Sequence, residues 1–220
     1  MSALDVLTTT RSVRRRLDLD RPVGLETVKE CLEIALQAPS GSNAQRWQFV
    51  VVTDAGRRAA VGDVYRRACT DYLESSGAAG RLFADDPERA RVQQRVHASV
   101  RHLADTMGRV PVLVVPCLEL AGPGLPEGNQ AGLWGSLLPA AWSYMLAART
   151  RGLGTAWTTL HLAYEREVAE ILELPPQVHQ GALIPTAHSV GTDFRPAPRR
   201  PLEEVLHVDG WQRRGPAGRP

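Results

Sequence analysis

A basic run near the amino terminus is the part of this chain best suited to binding an anion. Four arginines, a serine and a valine occupy six consecutive positions: Arg11, Ser12, Val13, Arg14, Arg15 and Arg16. A guanidinium group can hold a phosphate or a carboxylate through two parallel hydrogen bonds. Taken alone, such a run is more often a solvated basic face, so its meaning depends on the segments that accompany it.

A second stretch, rich in hydrogen-bonding groups, lies one predicted helix further along the chain. Pro39 is expected to end that helix, because the residue before a proline is kept out of the α region. The residues that follow it are Ser40, Gly41, Ser42 and Asn43. Such small residues form a short loop whose backbone can approach a ligand closely. An isolated loop of this composition is usually an ordinary helix-to-strand turn.

Together, the two stretches resemble the nitroreductase family of FMN-dependent oxidoreductases. That family opens with an Arg-Ser-Val-Arg-like motif, then a helix, then an Ala-Pro-Ser-x-x-Asn-x-Gln-x-Trp-x-Phe segment. Residues 11–14 and 38–49 carry both motifs almost unaltered. The likeness continues at residues 152–157, Gly-Leu-Gly-Thr-Ala-Trp, and in residues 184–205. Four motifs in the family's order make the resemblance strong, and they cover nearly the whole chain.

The resemblance implies an FMN site whose phosphate end is held by the basic run. Arg11 and Ser12, followed by Val13, match the part of the motif that binds the phosphate. Arg14 matches the basic residue that faces flavin N1 and O2 and stabilises the reduced flavin. Thr10 replaces the arginine that usually leads the motif, and the extra arginine after Arg14 leaves Arg15 able to take either role.

Three further segments are implied to bind the flavin. One loop of the family reaches the flavin across a dimer interface, and its counterparts here are Pro39, Ser40, Gly41, Ser42, Asn43 and Gln45. Backbone N–H groups near flavin N5 and O4 are expected from Thr158, Thr159 and Leu160. Many relatives have a Glu-Gly pair at the last two of these positions. A C-terminal basic pair that closes on the phosphate is matched by Arg199 and Arg200. Trp47, at the start of a strand, is expected in the core.

The composition describes an ordinary globular protein of 220 residues, of which 43% are hydrophobic and 23% are charged. A net charge of +2 gives no strong field, so neither nucleic acid nor a membrane is expected as a partner. No signal peptide or membrane span is recognisable, and a cytoplasmic location is predicted. Three separated cysteines argue against a disulfide framework. We expect one domain over residues 1–220, with a disordered tail at 212–220.

Other chemistry is not indicated by the sequence. Gly152-x-Gly154 lacks the third glycine of a dinucleotide-binding fingerprint, and no histidines have metal-ligand spacing, so no metal is expected. No catalytic acid–base pair is expected either, because the cofactor carries the difficult step. His161 is expected to line a pocket.

Periodicity predicts the elements that position these segments. Helices are predicted at residues 4–10, 25–37, 55–75, 87–107, 133–151 and 165–172, and strands at residues 48–53, 110–117 and 180–187. The helix at 133–151 is apolar almost all round, which predicts a central helix or a dimer seam. The irregular order of strands and helices favours an α+β fold. The resemblance adds a central, mostly antiparallel sheet flanked by helices, in an intertwined homodimer.

The implied activity is reduction of FMN by NADPH or NADH, with hydride transfer to N5. A small electron acceptor, a nitroaromatic or a quinone, then takes the electrons in the same pocket, which gives ping-pong kinetics. Two alternatives within the family remain open: a flavin-dependent dehydrogenase or oxidase of a small natural product, and a relative that uses deazaflavin F420. A third alternative is a flavin-binding protein without turnover.

Overall fold

The computed structural model describes residues 1–211; the predicted disordered tail, residues 212–220, lies outside this range. The helices of the described chain are α1 (Ala3–Thr9), α2 (Leu25–Ala35), α3 (Ala55–Glu74), α4 (Pro87–Thr106), α5 (Ala131–Thr150) and α6 (Glu165–Ile171). The strands are β1 (Leu17–Asp18), β2 (Trp47–Val52), β3 (Val112–Glu119), β4 (Leu153–Thr155), β5 (Val178–Gln180) and β6 (Ile184–Ser189). The architecture is α+β, as predicted.

Side-chain caps fix where several helices begin. Ser2 and Asp5 form a reciprocal capping box at α1. Asp54 accepts a hydrogen bond from the backbone of Arg57 at the start of α3. Asp86 caps α4 in the same way, and Pro87 occupies its first turn, where a missing N–H costs nothing. These caps explain why the long helices α3 and α4 begin at the predicted residues.

Strand β3 is the centre of the sheet. It pairs with β2 along one side and with β5 and β6 along the other. Strand β6 also pairs with β1 and β4, and all these pairings are antiparallel. Successive side chains of a strand point to opposite faces. Leu113 and Val115 therefore pack with α3, α4 and α6, whereas Val112 and Val114 pack with α2 and α5.

The predicted strand at residues 180–187 is two strands, not one, and the interruption has a backbone cause. Pro116 lies inside β3 and has no N–H to donate to this side of the sheet. Its carbonyl accepts from Gly181 (2.8 Å), and the ladder stops there. Pairing resumes at Val114 and Ile184, where β6 begins. An apolar run shows where a strand can be buried but not where its partner lacks a donor.

One predicted helix also needs correction. Helix α2 ends at Ala35, so Pro39 acts through a short non-helical segment and not at the helix end itself. Leu36 is consequently 43% exposed, and Cys31 fills the buried face together with Val28. Helix α5 lies against α2 in the core, with Trp142 partly exposed, and it ends before Gly152, whose φ of +74° suits a glycine that follows a helix.

All three cysteines are buried and free, as their spacing predicts. No helix within residues 1–211 is both long enough and apolar enough to cross a bilayer.

Candidate functional site

An open groove of about 1560 Å³ joins the basic run, the C-terminal segment and the first half of α4. Its size exceeds the ~300–1,000 Å³ of ordinary small-molecule pockets. The predicted site residues that line it are Arg11, Ser12, Val13, Arg14, Arg15, Arg199 and Arg200. The structure therefore brings together two segments that are far apart in sequence. The wall formed by α4 and Phe83 was not predicted.

Backbone pairing fixes the basic run to the sheet. Val13 N donates to Thr155 O (2.7 Å), and beyond β6 Val190 N donates to Arg16 O (2.8 Å). Val13 is buried in the core. Gly154 permits this contact, because a Cβ at that position would lie 3.0 Å from Val13 Cγ1 and 2.7 Å from Ser189 Oγ. The arginines on either side of Val13 are thus held on a rigid edge of the sheet.

Arg16 holds the C-terminal segment and is not available to a ligand. Its Nε donates to Val190 O (2.6 Å), and its Nη2 forms an ion pair with Asp193 (2.8 Å). The ion pair lowers the pKa of Asp193. The guanidinium groups of Arg16 and Arg149 lie 4.3 and 4.5 Å from the ring centroid of Phe194, within cation–π range. These contacts place the chain that leads to Arg199 along the groove.

Arg14 is half-buried and lacks an acidic partner. Within residues 1–211 its side chain makes no hydrogen bond or ion pair, and burial lowers its pKa, an effect that the nearby Tyr65 and Tyr72 oppose. Exposed Arg11 and Arg15 likewise have no carboxylate partner in the described chain. A partly desolvated cation without a counter-charge raises the free energy of the folded protein. The arrangement fits a ligand that brings a negative charge to Arg14.

The segment after β4 is close to the basic run but does not line the groove. Thr158 N donates to Leu183 O (3.1 Å), so this N–H is not available to a ligand. Its hydroxyl lies 3.0 Å from the buried hydroxyl of Tyr65. Of the three predicted backbone donors, Thr159 and Leu160 therefore remain. Tyr65 was not predicted, because the polar sequence of α3 shows no site-like pattern.

The loop after α2 stands apart from the groove of its own chain. None of its residues lines the groove, and Gly41 N donates to Ser136 Oγ of α5 (2.9 Å). Ser42, Asn43 and Gln45 have φ of +53°, +51° and +48°. Left-handed conformations cost free energy in non-glycine residues and concentrate at functional sites. Residues 41–45 of the loop are exposed.

A buried polar cluster lies under the segment that follows β4. His161 is fully buried and does not line the groove, so its predicted place on a pocket wall is wrong. Neither ring nitrogen has a hydrogen-bond partner within the described chain, and Gln180 Oε1 is unpaired as well. Gln180 is fixed through its Nε2, which donates to Glu165 O (2.9 Å). Burial lowers the pKa of His161 to about 4, although the Gln180 amide opposes the shift.

The chain is similar over most of its length to several known proteins. A model of the Nitroreductase family matches residues 7–188. The 5,6-dimethylbenzimidazole synthase of Rhodospirillum rubrum is 30% identical over 207 residues, which span 89% of this chain and 82% of that protein. The iodotyrosine deiodinase of Thermotoga neapolitana is 26% identical over 94% of this chain and 97% of its own length. A point variant of the FMN- and NADPH-dependent nitroreductase NfnB from sphigopyxis sp. strain HMH superposes with a TM-score of 0.69 at 26% identity, covering 96% of this chain and 100% of that one.

Burial of His161 predicts a specific loss of stability in acid. An unfolded histidine titrates near ~6.5, whereas His161 in the folded chain titrates at about 4. Between these values only the unfolded chain binds the proton. The contribution of neutral His161 to stability is therefore fully present above pH 6.5 and is lost as the pH falls. Between pH 7 and 5, protonation of this one group in the unfolded chain should lower the free energy of unfolding by about 2 kcal/mol. The variant His161→Leu should lack this part of the slope in urea unfolding. Parallel pH profiles for the two proteins would contradict the assignment.

Proposed function

The chain belongs to the nitroreductase family and is an FMN-dependent oxidoreductase, and we propose that it carries electrons from NADPH or NADH to a nitroaromatic or quinone-type acceptor. When bound, FMN supplies the redox chemistry, because it accepts hydride at N5 and passes the electrons on. Donor and acceptor use the same pocket in turn, so the kinetics are ping-pong.

The observation that carries this proposal is the half-buried, unpaired guanidinium of Arg14 in a groove lined by further arginines. Reduction of a flavin develops negative charge near N1 and O2. A fixed cation beside that edge stabilises the reduced form, and it does so more strongly where water is partly excluded. In this proposal Arg14 has that role.

The phosphate end of the cofactor is assigned to the more exposed arginines. Arg11 and Ser12 approach it from the basic run, and Arg199 approaches from the C-terminal segment that Arg16 holds in place. Arg200 already pairs with Glu204 (2.9 Å), so Arg199 is the stronger candidate of the C-terminal pair. The guanidinium of Arg199 contacts only the neighbouring carbonyl of Pro198 within the described chain.

A homodimer completes the site in this proposal. The loop formed by Ser40, Gly41, Ser42 and Asn43 is exposed and does not line its own groove, so it would serve the groove of a second copy. Large apolar side chains are also exposed on α1, at Leu4 and Leu7, and near the end of the described chain, at Trp211. On α1, Leu4 and Leu7 lie three residues apart and so share one helix face, which is the kind of apolar surface that a second copy could cover.

The proposed activity is tested first by the visible spectrum of the purified protein. Yellow protein whose flavin bands bleach on anaerobic addition of NADPH or NADH, and return with a nitroaromatic or a quinone, is the expected result. Bound flavin that neither nucleotide reduces would contradict the proposed donor and favour a dehydrogenase or a non-catalytic flavin protein. Protein that FMN cannot reconstitute would contradict the site itself.

Removal of the Arg14 charge should make bound FMN harder to reduce. In Arg14→Gln we expect the two-electron potential to fall by about 30 mV, the equivalent of ~1.4 kcal/mol for a two-electron couple. Dye-equilibrated anaerobic titration measures this shift. The exposed neighbour supplies the matched control, Arg15→Gln, which should change the potential much less. The reverse order of effects would transfer the role to Arg15.

Substitution of Arg199 should weaken only the phosphate end of the cofactor. In Arg199→Ala we expect the Kd for FMN to rise about tenfold, a loss of ~1.4 kcal/mol, while the Kd for riboflavin stays the same. Fluorescence quenching of each flavin on addition of apoprotein measures both constants. Arg166→Ala, an exposed arginine of α6 outside the groove, is the control. Equal losses for FMN and riboflavin would refute the phosphate contact.

A further inference from the structure

The groove carries much more positive charge than a single FMN phosphate neutralises. Among the described residues, ten arginines line it against four acidic side chains, Asp86, Glu88, Asp193 and Glu204, although the net charge of the whole chain is only +2. A phosphate monoester brings about two negative charges. The wall along α4 carries three of these arginines, Arg89, Arg91 and Arg95, against Asp86 and Glu88.

Three arginines of α4 form this second basic surface. Arg89, Arg91 and Arg95 all line the groove, and within residues 1–211 none of the three forms an ion pair with a carboxylate. The carboxylate of Asp86 caps α4 by accepting from the backbone N–H of Arg89 (3.1 Å) and forms no ion pair with these side chains. Glu88 is the one further acid on this wall. The first turn of α4, which contains Arg89, adds positive potential.

The spacing of two of these arginines is unfavourable for the helix itself. Arg91 and Arg95 are four residues apart, and like charges at this spacing on a helix repel one another. The described chain offers no acidic group that bridges them. An anion bound between the two guanidinium groups would remove the repulsion, so the pair has the chemistry of a ligand site.

Apolar groups beside the arginines indicate the rest of the ligand. Phe83 is 41% exposed and lines the groove with a φ of +60°, an outlier for a bulky residue that points to a functional constraint. The guanidinium of Arg89 lies 3.4 Å from the centroid of its ring. Val92 and Val96 line the same wall. A planar apolar body with an anionic group matches this surface.

We propose that the α4 wall, composed of Phe83, Arg89, Arg91, Val92, Arg95 and Val96, is a subsite for an anionic reactant. The anionic group, a carboxylate or a phosphate, binds Arg91 and Arg95, and the planar part of the reactant packs on Phe83 and Val92. The group comes either from an aromatic acid that serves as electron acceptor or from the extra phosphate of NADPH. This inference rests on the proposed function and extends it to the class of reactant.

Binding to the holoprotein tests the subsite without turnover. Isothermal titration compares 4-nitrobenzoate with its neutral methyl ester, and NADP⁺ with NAD⁺. In Arg91→Gln/Arg95→Gln we expect the Kd of at least one charged ligand to rise about tenfold, which corresponds to ~1.4 kcal/mol, while its less charged counterpart binds as before. A loss confined to 4-nitrobenzoate identifies the acceptor as the source of the anion; a loss confined to NADP⁺ identifies the donor.

Arg101→Gln is the matched control, because Arg101 is exposed on the same helix and outside the groove lining. Added salt should weaken 4-nitrobenzoate more than its methyl ester and NADP⁺ more than NAD⁺, since attraction to exposed arginines is screened. Equal Kd changes for charged and neutral ligands, no change for either charged ligand, or the same change in Arg101→Gln would overturn the subsite. Failure of NAD(P)H to reduce the flavin would instead overturn the proposed function, because these titrations require no reduction.

Discussion

The rest of the site depends on the backbone hydrogen bonds that tie the basic run to the sheet. Val13 N to Thr155 O and Val190 N to Arg16 O hold an otherwise repulsive row of arginines at one edge. Burial of Val13 adds apolar packing that guanidinium groups alone do not provide. Since the sheet sets the positions, the cations are in place before any ligand arrives. Preorganisation of this kind makes electrostatic stabilisation effective.

The same constraint divides three arginines of the run, Arg14, Arg15 and Arg16, into different roles. Arg16 is engaged by Asp193 and Phe194, and it secures the C-terminal segment over the groove. Arg14 is half-buried beside Tyr65 and Tyr72 without a counter-charge, and Arg15 is exposed. The chain bends and turns over residues 14–16 before β1 begins, so the three side chains meet different surroundings. The role of each arginine is therefore set by its position relative to Val13.

Sequence patterns predicted the parts of this structure that depend on local preferences. Helices α3 and α4 were located to within a residue at each end, since caps such as Asp54 and Asp86 are local signals. The break between β5 and β6 was missed, because it depends on Pro116 in a distant strand. The groove wall on α4 was missed for a similar reason. A polar helix shows in its sequence which face is exposed but not which segment lies opposite that face.

Charge distribution links the two ends of the groove. In the proposed arrangement, the basic run and Arg199 bind the cofactor phosphate. The arginines of α4 then remain free on the wall where Phe83 and Val92 are exposed. If donor and acceptor use this groove in turn, as proposed, both meet the same cations. Local potentials of this kind raise the encounter rate of anionic molecules even when net charge is small. A chain with a net charge of only +2 can therefore attract anionic molecules to one groove, because ten of its arginines line it.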